Sequence, residues 1–122
     1  MKAIVFVIIL VALLSTKAPA ADKWSARDYY LEGTWQALHV IDWGQTAMIA
    51  RNPDRYYEMN PMLGRHPSTE LVHAYAATGA IFHLVVTHFL PSKYRPYWQG
   101  VTIGMSAACV ANNFNVGLGV RF

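Results

Sequence analysis

Six residues carry most of the chemistry open to this sequence: His39, Asp42, Gln45, Glu58, Asn60 and His83. His39, Asp42 and Gln45 follow one another at intervals of three, so a helix through them places a base, an acid and an amide on one face. A carboxylate at the centre of a membrane helix costs about 2.5–3.5 kcal/mol on insertion scales, and such groups face the bundle interior and find a partner. For Asp42 the nearest candidates are His39, one turn back, and Gln45, one turn on. Three roles follow. Asp42 belongs to a hydrogen-bonded polar core that fixes helix register, or it sits in water on an interfacial helix, or it forms a functional proton or ligand site.

Glu58 and Asn60 lie in the linker Glu58-Met59-Asn60-Pro61-Met62-Leu63-Gly64-Arg65-His66-Pro67-Ser68, where Asn60-Pro61 and Gly64 are turn-formers. The plain reading is an interhelical turn that caps the following helix. The sharper one turns Glu58 and Asn60 back toward Asp42 and Gln45 as a polar cluster at the end of a bundle. Five histidines invite a metal, but His83 and His88 are five apart, about 140° around a helix, and no His-Glu-x-x-His or Cys/His cluster exists. Ser106 has no strand-turn-helix context for a nucleophile. The sequence therefore assigns no catalytic residue, no metal and no cofactor. The expected role is contact with a protein partner, and the alternative is a membrane-embedded enzyme or proton or ligand site using Asp42, Glu58, Asn60 and His83.

Three helical segments must position these residues. The first runs from about Ala26 to Arg51, with Glu32, Gln36, His39, Asp42, Gln45 and Thr46 as a polar stripe, and Asn52-Pro53 as its stop. The second starts with Ser68 as N-cap and Glu70 in the first turn, and ends at Leu90-Pro91. It carries no charge from Leu71 up to Lys93, and its roughly 20 residues, about 30 Å of helix, reach across hydrocarbon. The third follows Lys93-Tyr94-Arg95-Pro96-Tyr97-Trp98, a basic and aromatic mixture typical of a membrane interface, and is uncharged until Arg121. In it Gly100, Gly104 and Ala108 are spaced by four, a ridge for close helix packing. Glycines in a water-exposed helix cost about 1 kcal/mol each against alanine, so the ridge argues for a bilayer bundle.

The expected fold is all-α, a three-helix membrane-associated hairpin or bundle. A competing reading takes the alternation of Phe114, Val116, Leu118, Val120 and Phe122 as the closing strand of a small outer-membrane β-barrel. Eight strands of about ten residues would leave almost nothing for loops. Gly117 and Gly119 could instead end the third helix in a short extended tail.

The pattern Asp42…Gln45-Thr46, Glu58-x-Asn60-Pro61-x-Leu63-Gly64-x-x-Pro67-Ser68, then His83 and Asn113…Gly117 resembles a group of small uncharacterised multi-helix membrane proteins of bacteria and phages. The resemblance spans most of the chain after residue 20. It implies a multi-helix membrane protein and brings no activity with it.

The first twenty residues read as a secretory signal peptide: Lys2, an apolar run from Ala3 to Leu14, and Ala18-Pro19-Ala20 before a cut at Ala21. One domain, residues 21–122, follows. The net charge of +3 includes Lys2 and Lys17; without those two of ten basic residues, eight remain against seven acidic ones. That near-balance excludes an electrostatic footprint for nucleic acid. A single cysteine, Cys109 among Ala107, Ala108 and Val110, precludes an intramolecular disulfide and reads as a small buried hydrophobe. The expected location is the cell envelope, in the inner membrane with an exported N-terminus. The expected partners are lipid and either another membrane protein or a second copy. Arg51, Arg55, Arg65 and Arg121 on one side balance Lys23, Arg27, Lys93 and Arg95 on the other, so basic residues do not orient the chain.

Overall fold

The computed structural model describes residues 21–122; the expected signal peptide, residues 1–20, lies outside the described residues. Three helices follow one another: α1 (Ala26–Arg51), α2 (Thr69–Phe89) and α3 (Arg95–Asn115). Among the described residues there is no strand, which overturns the barrel-like alternative for this part of the chain.

Each boundary has a local cause. Ser25 starts α1 with a capping box: its hydroxyl accepts from the Asp28 amide at 3.2 Å, while Asp28 accepts from the Ser25 amide at 2.9 Å. Asn52 closes α1, donating from its side chain to Met48 O. Ser68 caps α2 as expected, accepting from the Leu71 amide at 3.1 Å, and Leu90 ends it in an extended conformation before Pro91. The third helix begins earlier than the sequence suggests. Arg95 and Pro96 are its first turn, where proline's missing N–H is no loss, so the basic-aromatic segment belongs largely to the helix.

The C-terminus of α3 is a Schellman motif. Gly117 takes a positive φ of 89°, the Leu118 amide donates to Asn113 O at 2.9 Å, and the Gly117 amide donates to Phe114 O at 3.0 Å. Leu118 is thereby turned inward and buried. The tail then lies along α1, where the Arg121 amide donates to Gly44 O at 3.2 Å and Phe122 packs edge-on against Trp43. A Cβ at position 44 would overlap Val120, so the crossing requires glycine. The alternating tail is an extended strap on a helix.

α1 is the central element, packed against both other helices, while α2 and α3 touch each other little. What lies between them is unusual for a protein folded in water. Among the described residues, eight buried apolar ones are matched by eight buried polar or charged ones: Asp28, Glu32, Gln45, Thr46, His83, Thr87, Arg95 and Gln99. The polar stripe of α1 faces inward. Outside, Ile81 on α2 and Val101 and Met105 on α3 are each about two-thirds exposed: 65 %, 63 % and 66 %.

One expectation about α3, a buried Cys109, is corrected here, and the small-residue ridge is left facing outward. Gly100 and Gly104 have nothing within 4 Å of a Cβ placed on them, and Ala108 is exposed, so the ridge does not pack the bundle together. Its place is taken by Arg95, Gln99, Thr102 and Val110, a 3.6-period face directed at the other helices. Cys109 is exposed, because a buried Val110 beside it puts position 109 about 100° off the packed face.

Candidate functional site

The polar interior forms two centres. The first is near the α2–α3 turn and is built around Arg95, whose side chain is wholly buried. A guanidinium presents five donors in a rigid fork. Here Nε donates to Thr87 O at 2.9 Å, Nη2 to Asp22 O at 2.7 Å and to His88 O at 3.1 Å, and Nη1 to Lys23 O at 3.2 Å. Nη1 also meets Asp28 Oδ2 at 3.3 Å, an ion pair with almost no solvent on either side. One side chain thus ties the segment before α1 to the end of α2. Outside this turn, the Ser92 amide donating to Asp22 at 2.7 Å holds that exposed carboxyl below the usual carboxylate range.

One turn further in, Glu32 and His83 are paired. His83 Nδ1 lies 3.0 Å from Glu32 Oε1. A carboxylate only accepts, so Nδ1 carries the proton. The other ring nitrogen is 2.8 Å from Thr102 Oγ1. The imidazole is stacked between two indoles, with centroids 3.7 Å from Trp35 and 4.9 Å from Trp98. Glu32 also accepts from Thr87 at 2.9 Å, Gln36 at 2.9 Å and Gln99 at 3.4 Å. His83 therefore has neither nitrogen free for the Asp42 group.

The second centre lies at the opposite end, where the linker and tail meet the bundle. Asn113 is its hub. Its amide nitrogen donates to Asp42 Oδ1 and to Gln45 Oε1, both at 3.0 Å, and Gln45 donates to Val110 O at 3.4 Å. This is the polar core expected around Asp42, but its partner comes from α3 and not from His39. The His39 ring instead donates from Nε2 to Ala76 O at 2.8 Å and stacks on Trp35. Gly79 makes that approach possible: a Cβ there would sit 3.2 Å from the His39 ring.

Glu58 and Asn60 do turn back toward α1, without bonding to it. Glu58 Oε1 accepts from the Met59 and Asn60 amides at 3.0 and 2.8 Å, and Asn60 donates to the Tyr75 hydroxyl at 3.0 Å. With Asp42 they line a cavity of about 730 Å³. Its walls are largely apolar and aromatic, including Trp43, Tyr56, Leu63, Val72 and Tyr75, with His39, Cys109 and Asn113 also on the lining. A smaller cavity of about 280 Å³ touches His39, Asp42, Asn60 and His83.

Of the six expected residues, Asp42 and Gln45 meet through Asn113, His39, Glu58 and Asn60 share a cavity wall with Asp42, and His83 serves the other centre. The expected set missed Arg95, Asp28, Gln99, Thr87 and Thr102. The signal was present: positions 95, 99, 102, 106 and 113 of α3 are polar at helical spacing. Among the described residues no group of three or more His, Cys, Asp or Glu is placed to hold a metal ion. No protein family, no curated protein and no solved structure matches the chain.

Proposed function

We propose that this is a small helical membrane protein of the cell envelope that acts by contact with a membrane-embedded partner. The observation that carries the reading is the inverted distribution of polarity. Exposed apolar surface in water is unfavourable by about 25 cal/mol per Å², whereas against lipid tails it has no such penalty. Buried ion pairs do little to compensate in water, since desolvating the charges offsets most of their attraction. In a bilayer the same polar groups have nowhere better to go than one another. Arg95, His83, Gln45 and Gln99, the largest fully enclosed side chains, are all of this kind.

Among the described residues one helix, α2, is long and apolar enough to cross a membrane. α3, also expected to embed, falls short because its inward face carries Gln99, Thr102, Ser106 and Asn113. Gln99 and Asn113 bond to α1 and Thr102 to His83 on α2, which is compatible with lipid on the opposite side. In this reading the partner approaches along the open face of Gly100 and Gly104, where a second copy offers an equally small surface. The inner membrane, with an exported N-terminus, follows from the apparent signal peptide.

The test is alkaline carbonate extraction of membranes from cells expressing the full chain. The protein should stay in the pellet and require detergent for release. Recovery as a soluble monomer without detergent would sink the proposal.

A further inference from the structure

We infer that the cavity at the linker end binds an amphipathic amine, with the ammonium group between Asp42 and Glu58 and the apolar tail along the aromatic wall. This goes beyond the contact function and concerns a cavity whose lining does not include Gly100 or Gly104.

Size is the first argument. A volume of about 730 Å³ lies within the range of small-molecule sites, which are mostly apolar with a few converging polar groups. Here those groups include two carboxylates, and neither has an ion-pair partner within 4 Å among the described residues. Each commits one oxygen to the protein: Asp42 Oδ1 to Asn113, and Glu58 Oε1 to the amides of residues 59 and 60. The second oxygen of each is left for a donor. Arg55, the one Lys or Arg on the lining, lies over the Tyr56 ring at 5.5 Å instead of on a carboxylate.

The apolar wall decides what kind of donor fits. Tyr56, Tyr75 and Trp43 are on the lining, and aromatic rings attract an ammonium group more than a neutral one. A small hydrophilic cation would leave the exposed Tyr75 and Val116 uncovered, and a neutral lipid would leave the second oxygen of each carboxylate without a donor. An ammonium head on an aliphatic tail satisfies both. In the embedded arrangement this end of α2 lies near the lipid–water boundary, the depth at which amine-bearing lipid headgroups reside. A free alkylamine offers the same chemistry.

The experiment is calorimetric titration of the full chain in dodecyl maltoside with n-octylamine and with n-octanol, subtracting micelle blanks. Octylamine should bind saturably at one site and at least tenfold more tightly than octanol. Asp42→Asn and Glu58→Gln keep the oxygens that accept Asn113 and the linker amides, so both should retain the wild-type circular dichroism. Each should weaken octylamine at least tenfold and leave octanol unchanged. Equal affinity for amine and alcohol would leave an apolar cavity and overturn the assignment, as would full amine binding by both variants or no binding by wild type. Repeating the titration in mixed micelles with phosphatidylethanolamine identifies the source. A raised apparent Kd marks the lipid headgroup as occupant, and an unchanged one marks a free amine. Membrane extraction is independent of these results, so failure here leaves the contact proposal standing.

Discussion

The Glu32 carboxylate and the His83 ring, on α1 and α2, face each other at 3.0 Å with both side chains almost completely enclosed. Removing one partner of such a pair leaves an uncompensated polar group in the interior, at a cost of about 3–5 kcal/mol. His83→Phe keeps a flat ring between Trp35 and Trp98 yet removes both ring hydrogen bonds. It should lower stability by an amount near that range. Glu32→Leu should be comparably damaging, because Thr87, Gln36 and Gln99 lose their acceptor as well. The double variant should recover a substantial part of the loss, since an apolar pair often replaces a buried ion pair at little cost. Unfolding of all four proteins in detergent, followed by near-ultraviolet circular dichroism, measures the coupling. Strict additivity would show that the two side chains do not depend on each other.

Arg95→Lys should behave as a severe substitution. The guanidinium serves five acceptors spread over Asp22, Lys23, Asp28, Thr87 and His88. A lysine ammonium has three donors at one point and cannot span them. The expected loss is about 3 kcal/mol, a buried, partly unpaired Asp28 being the main contribution. Because Arg95 also fastens residues 22 and 23, limited proteolysis should cut the segment before α1 faster in the variant. Unchanged proteolysis would separate Arg95 from that segment.

The helices themselves were readable because their signals are local. Ser68, Asn52-Pro53 and Leu90-Pro91 act within a few residues, so α1 and α2 end where caps and prolines dictate. The start of α3 was not, since a buried arginine beside a proline looks the same in sequence as one anchoring a helix at a membrane surface. Only Asp28 and the carbonyls of α2, brought close by the fold, distinguish the two. The candidate site divides likewise. Asp42 and Gln45 announce themselves on one helix face, whereas Asn113 joins them from 68 to 71 positions away. No spacing rule reaches that far. Small-residue spacing on α3 marks a surface for close approach without saying whether the approaching helix belongs to the same chain.

Gly44→Ala should show opposite signs in two backgrounds. In the full chain a methyl group at 44 meets Val120 and Phe122, and the strap must lift, releasing the Arg121–Gly44 bond and the contact with Trp43. In a chain ending at residue 118 the obstruction is gone, and alanine should favour the helix by roughly 1 kcal/mol over glycine. The same substitution should therefore destabilise the first protein by about 1 kcal/mol or more and stabilise the second. Thermal unfolding of the four proteins is sufficient, and stabilisation in both backgrounds would mean that the tail does not rest on Gly44.

Gly100→Leu combined with Gly104→Leu separates packing within the chain from packing between chains. Neither glycine has a neighbour within 4 Å, so the larger side chains should not disturb the bundle. Leucine should favour the helix by about 1 kcal/mol per site. Sedimentation in density-matched detergent should then find wild type self-associating and the variant monomeric, with the monomer at least as stable as before. A variant that associates like wild type would remove the α3 face from the contact proposal.

Asp42 and Asn113 allow a test by exchange. The Asn113 amide donates to both Asp42 and Gln45 at 3.0 Å, so the pairing needs one donor facing two acceptors. Asp42→Asn preserves an acceptor oxygen and should change stability by about 1 kcal/mol or less. Asn113→Asp removes the donor and sets a second carboxylate beside the first, which in a partly enclosed setting should cost about 3 kcal/mol or more. Combining the two restores a donor, since an asparagine at 42 can give its amide protons to an aspartate at 113. The double variant should accordingly be more stable than Asn113→Asp alone by about 2 kcal/mol. Unfolding in detergent reads all three differences. If the exchange gives no rescue, Asp42 and Asn113 do not face each other in the folded protein, and the polar centre at the linker end must be held by Gln45 alone.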